Sequence, residues 1–135
     1  MSIGISKIRG IKAPHVAQLR AHKIRNSDEL LAATKTPKAR QALSVATGVS
    51  ESDILELANR ADLSRVKGIA EVFSNLLENA GVDTVKELAQ RRPDHLHAKM
   101  TEVNTAGKYA KRVPTLEQCT DWVKQAKALP KMLTY

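Results

Sequence analysis

Ile8-Arg9-Gly10-Ile11 and Val66-Lys67-Gly68-Ile69 are one phrase written twice, 58 residues apart. Each reads apolar, basic, glycine, apolar, and each stands just before a strongly helical stretch. A glycine turn ahead of a helix leaves backbone N–H groups pointing outward at the helix start, which suits a phosphate. With the 58-residue offset held, Leu19 falls on Leu77, Ile24 on Val82, Asn26 on Thr84, Glu29 on Glu87 and Leu30 on Leu88. Asn26 and Thr84 are good N-caps with Glu three positions later. This spacing predicts capping boxes, complete in Thr84-x-x-Glu87 and with Asn replacing Ser/Thr in the first copy. Further on, Ile54-Leu57-Ala58 corresponds to Cys119-Trp122-Val123 at an offset of 65. The slip implies a short insertion in the second copy, placed at Asn104 to Arg112. The chain therefore reads as an internal duplication, residues 1–63 and 64–135.

Composition agrees with a helical duplication. The 135 residues suffice for one compact domain or two small ones, and 42% are hydrophobic. Only 3% are aromatic, namely Phe73, Tyr109, Trp122 and Tyr135, so the core must be aliphatic and Ala-rich. That favours close-packed helices over a β sandwich. The single cysteine, Cys119, excludes an internal disulfide and a cysteine-based zinc site. No apolar run approaches the roughly 20 residues of a membrane span. Met1-Ser2-Ile3-Gly4 carries no signal-peptide pattern, so a cytoplasmic location without membrane partners is expected. Net charge is +8, and each half contributes +4. Basicity spread over a folded domain points to a polyanionic partner, with a plain solvated basic surface as the alternative.

Helix signals run along the whole chain. Pro14 to Lys23 turns Val16, Ala17 and Leu19 to one side, and Asn26 opens a short helix. Thr36-Pro37 starts another that stops at Gly48, and Ser50-x-x-Asp53 opens the next. In the second half a helix over 70–80 carries Val72, Phe73, Leu76 and Leu77 toward the core and stops at Gly81. Pro93 starts a helix holding Leu96 and Met100. The last begins near Thr115 with Leu116, Cys119, Trp122, Val123 and Ala126 at helical spacing. Strand and hairpin signals are nearly absent.

The glycine turns resemble the helix-hairpin-helix motif, whose pattern is apolar, x, Gly, apolar, Gly, then a helix with Ala and Leu. The matches are Ile8 to Ile11 with Val16, Ala17 and Leu19, and Val66 to Ile69 with Leu76 and Leu77. A weaker third match is Thr47-Gly48-Val49-Ser50 before Ile54-Leu55. The second glycine is replaced each time, by Lys12, Ala70 and Ser50. The fourth expected turn is degenerate, with Asn104 to Lys108 in its place. The resemblance implies an all-α fold of duplicated helix-hairpin-helix (SAM-like, five-helix) units packed as one compact body. It also implies that the turn amides hold backbone phosphates. Much of the chain, from Ala46 through Ala89 and again at Trp122 to Lys127, also resembles a bacterial family known only as a domain of unknown function. That likeness brings no activity with it.

The residues expected at a nucleic-acid interface follow from the turns. They are Lys7, Arg9, Gly10, Ile11 and Lys12 at the first and Arg65, Lys67, Gly68 and Ile69 at the second. Gly48 and Ser50 mark the third, and Lys108, Lys111 and Arg112 beside Tyr109 supply a further basic group. Trp122 and Phe73 are read as core, Cys119 as an inert core thiol, and His95-x-His97 as no metal site because such residues point apart on a helix. No phosphate loop, zinc-protease motif or nucleophile elbow is present, so neither an enzyme nor a cofactor is expected. Two functions remain. One is sequence-independent binding of nucleic acid, double-stranded DNA ahead of RNA, which would place the protein at the nucleoid. The other is a protein-interaction or self-association scaffold.

Overall fold

The computed structural model describes residues 2–69 and 71–135. Ala70, at one of the lost second glycines, lies outside the described residues, as does Met1. Among the described residues the protein is all-α. A 3₁₀ turn at Ile5–Lys7 precedes α1 (Ala13–Ala21), α2 (Ser27–Ala33), α3 (Pro37–Thr47) and α4 (Glu51–Leu63). Then come α5 (Glu71–Asn79), α6 (Val85–Gln90), α7 (Pro93–Gly107) and α8 (Leu116–Ala128). Among the described residues the extended backbone pairs at one isolated bridge, between Gly4 and Asn26.

The chain divides into two compact units. One comprises Met1–Arg65 and Pro130–Tyr135, the other Val66–Leu129. The sequence reading placed the break at 63/64 and assigned the last residues to the second half. They group with the first unit because Leu133, 2% exposed, enters its core beside Leu30, Leu31, Leu57 and Ala61. The Thr134 N–H also donates to the Lys35 carbonyl at 2.8 Å.

Each unit shows the expected local punctuation. In the first, Asn26 Oδ1 caps α2 by accepting from the Glu29 N–H at 2.9 Å. Thr36 and Ser50 cap α3 and α4 in the same way. In the second, Thr84 Oγ1 caps α6 by accepting from the Glu87 N–H at 3.0 Å. The reciprocal box forms instead at Thr115 and Gln118. Glu87 Oε2 is buried with no hydrogen-bond partner among the described residues. At the equivalent place Glu29 binds the Arg25 N–H and the Asn26 amide. Asp83 stands where the first copy has Arg25, so the cation that helps hold Glu29 has no counterpart.

The helix ends repeat as well. After α5 the Val82 N–H donates to the Leu77 carbonyl and the Gly81 N–H to that of Glu78, a Schellman end with Gly81 at φ 90°. After α1 the Ile24 N–H donates to Leu19 and the Lys23 N–H to Arg20, with Lys23 at φ 63°. The two ends stand 58 residues apart, with lysine where the second copy has glycine. Gly48 and Lys108 then close α3 and α7 in the left-handed conformation, each N–H donating four residues back, to Ser44 and Asn104. Their offset is 60. The register slip is therefore spread out. The link before α7 is shorter, α7 is longer than α3, and the loop after Lys108 is longer than the one after Gly48. Asn104 to Gly107, read as inserted loop, forms the last turn of α7.

In the second unit Leu76, Leu77, Leu88, Leu96, Met100, Cys119 and Trp122 are buried. Phe73 tilts onto Trp122 with ring centroids 5.5 Å apart. Three residues assigned to apolar faces lie outside instead. Val72 is 51% exposed, Leu116 is 48% exposed, and Ala17 is exposed too. Val72 and Leu116 stand in the first turn of α5 and α8, whereas Ala17 is at the middle of α1 on its exposed side.

Candidate nucleic-acid interface

The two glycine turns have the same backbone. The Ile11 N–H donates to the Ile8 carbonyl at 3.2 Å and the Ile69 N–H to the Val66 carbonyl at 3.3 Å. Gly10 sits at φ 76° and Gly68 at φ 96°, where a side chain is strained. The apolar flanks anchor the turns: Ile8, Val66 and Ile69 are buried and Ile11 is half-buried.

Each turn is also held by one polar side chain from the last helix of its unit. Arg60 Nη1 donates to the Arg9 carbonyl at 2.9 Å. Gln125 Nε2 donates to the Lys67 carbonyl at 3.0 Å, and Gln125 Oε1 accepts from the Lys67 N–H at 2.8 Å. Arg60 and Gln125 are 65 residues apart, the same offset that relates Leu57 to Trp122. A carboxylate one helical turn earlier orients each of them: Glu56 pairs with Arg60, and Asp121 accepts from Gln125 at 2.7 Å. Neither Arg60 nor Gln125 was singled out in the sequence. The signal was available by extending the 65-residue register one turn, but Arg against Gln hides the equivalence.

These helices also dictate the glycines. A Cβ at Gly10 would lie 2.7 Å from Arg60 Nη1, and one at Gly68 would lie 2.9 Å from Trp122 Nε1. Close packing on the Trp122 ring therefore demands glycine at the second turn independently of any phosphate, whereas at the first the neighbour is the end of the Arg60 side chain and the left-handed backbone is the firmer constraint. The second-glycine position needs none in the first copy. Lys12 is extended at φ −86° and forms the N-cap of α1, and Ser50 is extended at φ −61°. Ser50 Oγ already accepts from the Asp53 N–H, so its hydroxyl serves α4.

The charged candidates separate by environment. Lys7, Lys12, Lys67, Lys108, Lys111 and Arg112 are exposed, and none forms an ion pair among the described residues. Arg65 is engaged internally. Nη1 pairs with Asp62 at 2.5 Å and Nη2 donates to the Pro130 carbonyl at 2.6 Å. Asp62 is 5% exposed, and burial raises its pKa while the Arg65 guanidinium opposes the shift. Arg9 is half-buried. Beside the first turn lies a hollow of about 210 Å³ lined by Gly10, Lys12, His15, Asp53, Glu56 and Arg60, among others. Its two carboxylates, Asp53 and Glu56, stand with two cations, Lys12 and Arg60, and Glu56 is already paired with Arg60.

Tyr109 stands beside Lys108, its ring against Gly107, where a Cβ would collide with it. The ring is 39% exposed. Asn104 ties the loop down by accepting from the Ala110 N–H at 2.8 Å and donating to its carbonyl at 3.1 Å. In this way Lys108, Lys111 and Arg112 share one short loop. Among the described residues no helix is long and apolar enough to cross a membrane, and no metal-binding cluster occurs.

Against known protein families, residues 9–129 match the one described as Domain of unknown function (DUF4332). No curated protein and no solved structure matches the chain.

Proposed function

Since the chain belongs to that family of unknown function, which carries no activity over to it, we propose from its own residues that it binds nucleic-acid backbone without sequence preference. Double-stranded DNA is the preferred form, and each unit acts as a helix-hairpin-helix pair. The reading is carried by one observation: six cations at the two turns and the α7–α8 loop are exposed and form no ion pair among the described residues. Unpaired surface lysines release counterions from a phosphate array, while cations already in ion pairs gain less. The start of α1 supports the same reading. It has no acidic residue in its first turn and no side-chain cap, so its N–H groups present positive potential next to Lys12.

The second turn also favours a scaffold role. There the Lys67 N–H is taken by Gln125 and the glycine is packed on Trp122. A protein-interaction or self-association module would keep these turns for packing alone.

Titration of the purified protein with a labelled duplex at several salt concentrations separates the two readings. Binding should weaken as salt rises, with a log–log slope of about −0.9 per neutralised phosphate. Lys12→Glu and Lys67→Glu should each weaken binding to unrelated sequences alike and flatten that slope by about 1 per lost phosphate contact. No binding at low salt, or binding indifferent to salt, overturns the DNA reading and leaves the scaffold.

A further inference from the structure

Helices α3 and α4 are joined by residues 48–50, which carry no charge, whereas α7 and α8 are joined by residues 108–115. The shorter link suffices to turn the chain between two helices. The longer one adds three cations, Lys108, Lys111 and Arg112, and one aromatic ring, Tyr109, and it contains no acidic residue. The nearest acids in the sequence are Glu102, which pairs with Lys99, and Glu117 in the first turn of α8.

The long link has a definite shape. Lys108 closes α7 in the left-handed conformation at φ 52°. Asn104 binds both the N–H and the carbonyl of Ala110, which fixes the residue that follows Tyr109. The outer end of the Tyr109 ring lies against Gly107, in the last turn of α7, where the missing Cβ makes room for it. Tyr109 is thus held through both its flanks and is still 39% exposed. A ring already fixed in place loses little side-chain freedom when a ligand covers it. A ring among exposed cations is the combination that grips unpaired nucleic acid, the ring stacking on a base while the cations meet phosphates. Bases inside a duplex are already stacked on their neighbours, so such a ring reaches a base only where the strand is unpaired.

We propose that the α7–α8 loop binds an unpaired nucleotide, with Tyr109 stacked on its base and Lys108, Lys111 and Arg112 on the adjoining phosphates. This rests on the nucleic-acid reading above and narrows its substrate to DNA duplexes that carry a single-stranded extension. The loop adds a contact that a blunt duplex cannot use.

The test compares three labelled DNAs at one salt concentration: a blunt duplex, the same duplex with an extension of about eight thymidines, a length within the site sizes of single-strand binders, and the same duplex with an abasic extension of equal length. The thymidine extension should tighten binding by about tenfold over the blunt duplex, the worth of a stacked base. The abasic extension keeps the phosphates, and should recover only a small part of that gain. Tyr109→Leu should abolish the difference between thymidine and abasic extensions and leave blunt-duplex affinity within about twofold, while Tyr109→Phe should preserve the difference. Because Tyr109 also covers Gly107, exposed Lys111 supplies a second variant: Lys111→Glu should weaken binding to the extended duplexes more than to the blunt one. Equal affinity for blunt and thymidine-extended duplexes overturns the proposal and leaves duplex binding standing, as does a thymidine preference that survives Tyr109→Leu. Failure to bind any of the three DNAs overturns both this proposal and the reading it rests on.

Discussion

Gly68→Ala should destabilise the second unit considerably more than Gly81→Ala, although both glycines occupy nearly the same backbone conformation. Their φ values are 96° and 90°. An alanine at either position meets the left-handed penalty of about 1–2 kcal/mol. What differs is the space around the new Cβ. At Gly81 its nearest neighbour is Arg91 Nη2 at 3.3 Å, the end of a flexible side chain that can swing away. At Gly68 it is Trp122 Nε1 at 2.9 Å, on a ring that is 1% exposed and packed against Phe73. That ring cannot move without disturbing the core, so an overpacking cost of about 1–3 kcal/mol adds to the strain. The expected totals are about 1–2 kcal/mol for Gly81→Ala and about 2–5 kcal/mol for Gly68→Ala. Urea unfolding followed by helical circular dichroism reads both. Trimming the ring with Trp122→Phe should make the Gly68→Ala substitution cheaper by at least about 1 kcal/mol in a double-mutant cycle. Equal costs at the two glycines, or no coupling to Trp122, would refute the claim that the turn glycine serves packing.

Lys23→Gly should raise stability by about 1 kcal/mol, because Lys23 holds the left-handed helix end that glycine occupies in the second copy; thermal unfolding checks it. Arg65→Met should cost about 3–5 kcal/mol by stranding buried Asp62. Asp62 has its pKa raised by burial, so the folded variant disfavours the carboxylate and should lose further stability as pH climbs above the ordinary 3.8. Denaturation midpoints compared across acid and neutral pH should show the gap from the parent protein widening toward neutrality, and a constant gap would count against it. Burial pushes the Cys119 thiol up from 9.0 to about 11. The stability tied to the neutral thiol is therefore complete below the ordinary value and is lost as pH rises through about 11. A thiol reagent at neutral pH should accordingly label the native protein at least about tenfold more slowly than the unfolded chain.

Most of the helical framework was legible because its signals are short-range. An N-cap oxygen and the backbone N–H that donates to it lie three residues apart, and a Schellman end spans six, so Asn26, Thr36, Ser50, Thr84 and Thr115 announce their helices in the adjacent sequence. Errors fell where a choice depended on what packs opposite. Val72 and Leu116 fit an apolar stripe but face solvent because no neighbouring helix reaches them. Glu87 has the spacing of a box partner but lacks the cation that helps hold Glu29. Arg65 looked like a phosphate ligand until the fold set it between Asp62 and the Pro130 carbonyl. Arg60 and Gln125 carry no local mark at all.

By itself, the sequence determined that this protein is helical and placed most of its helix starts and stops, the glycine turns before α1 and α5 among them. Those properties depend on residues within a turn or two of one another. Only the tertiary structure decided what the turns rest on and where the chain's last residues go. Gly68 is matched to Trp122, Lys67 to Gln125 and Thr134 to Lys35 across separations that no spacing rule encodes. Which side chain fills a given gap depends on how whole helices pack, and that is settled only when the apolar faces close together.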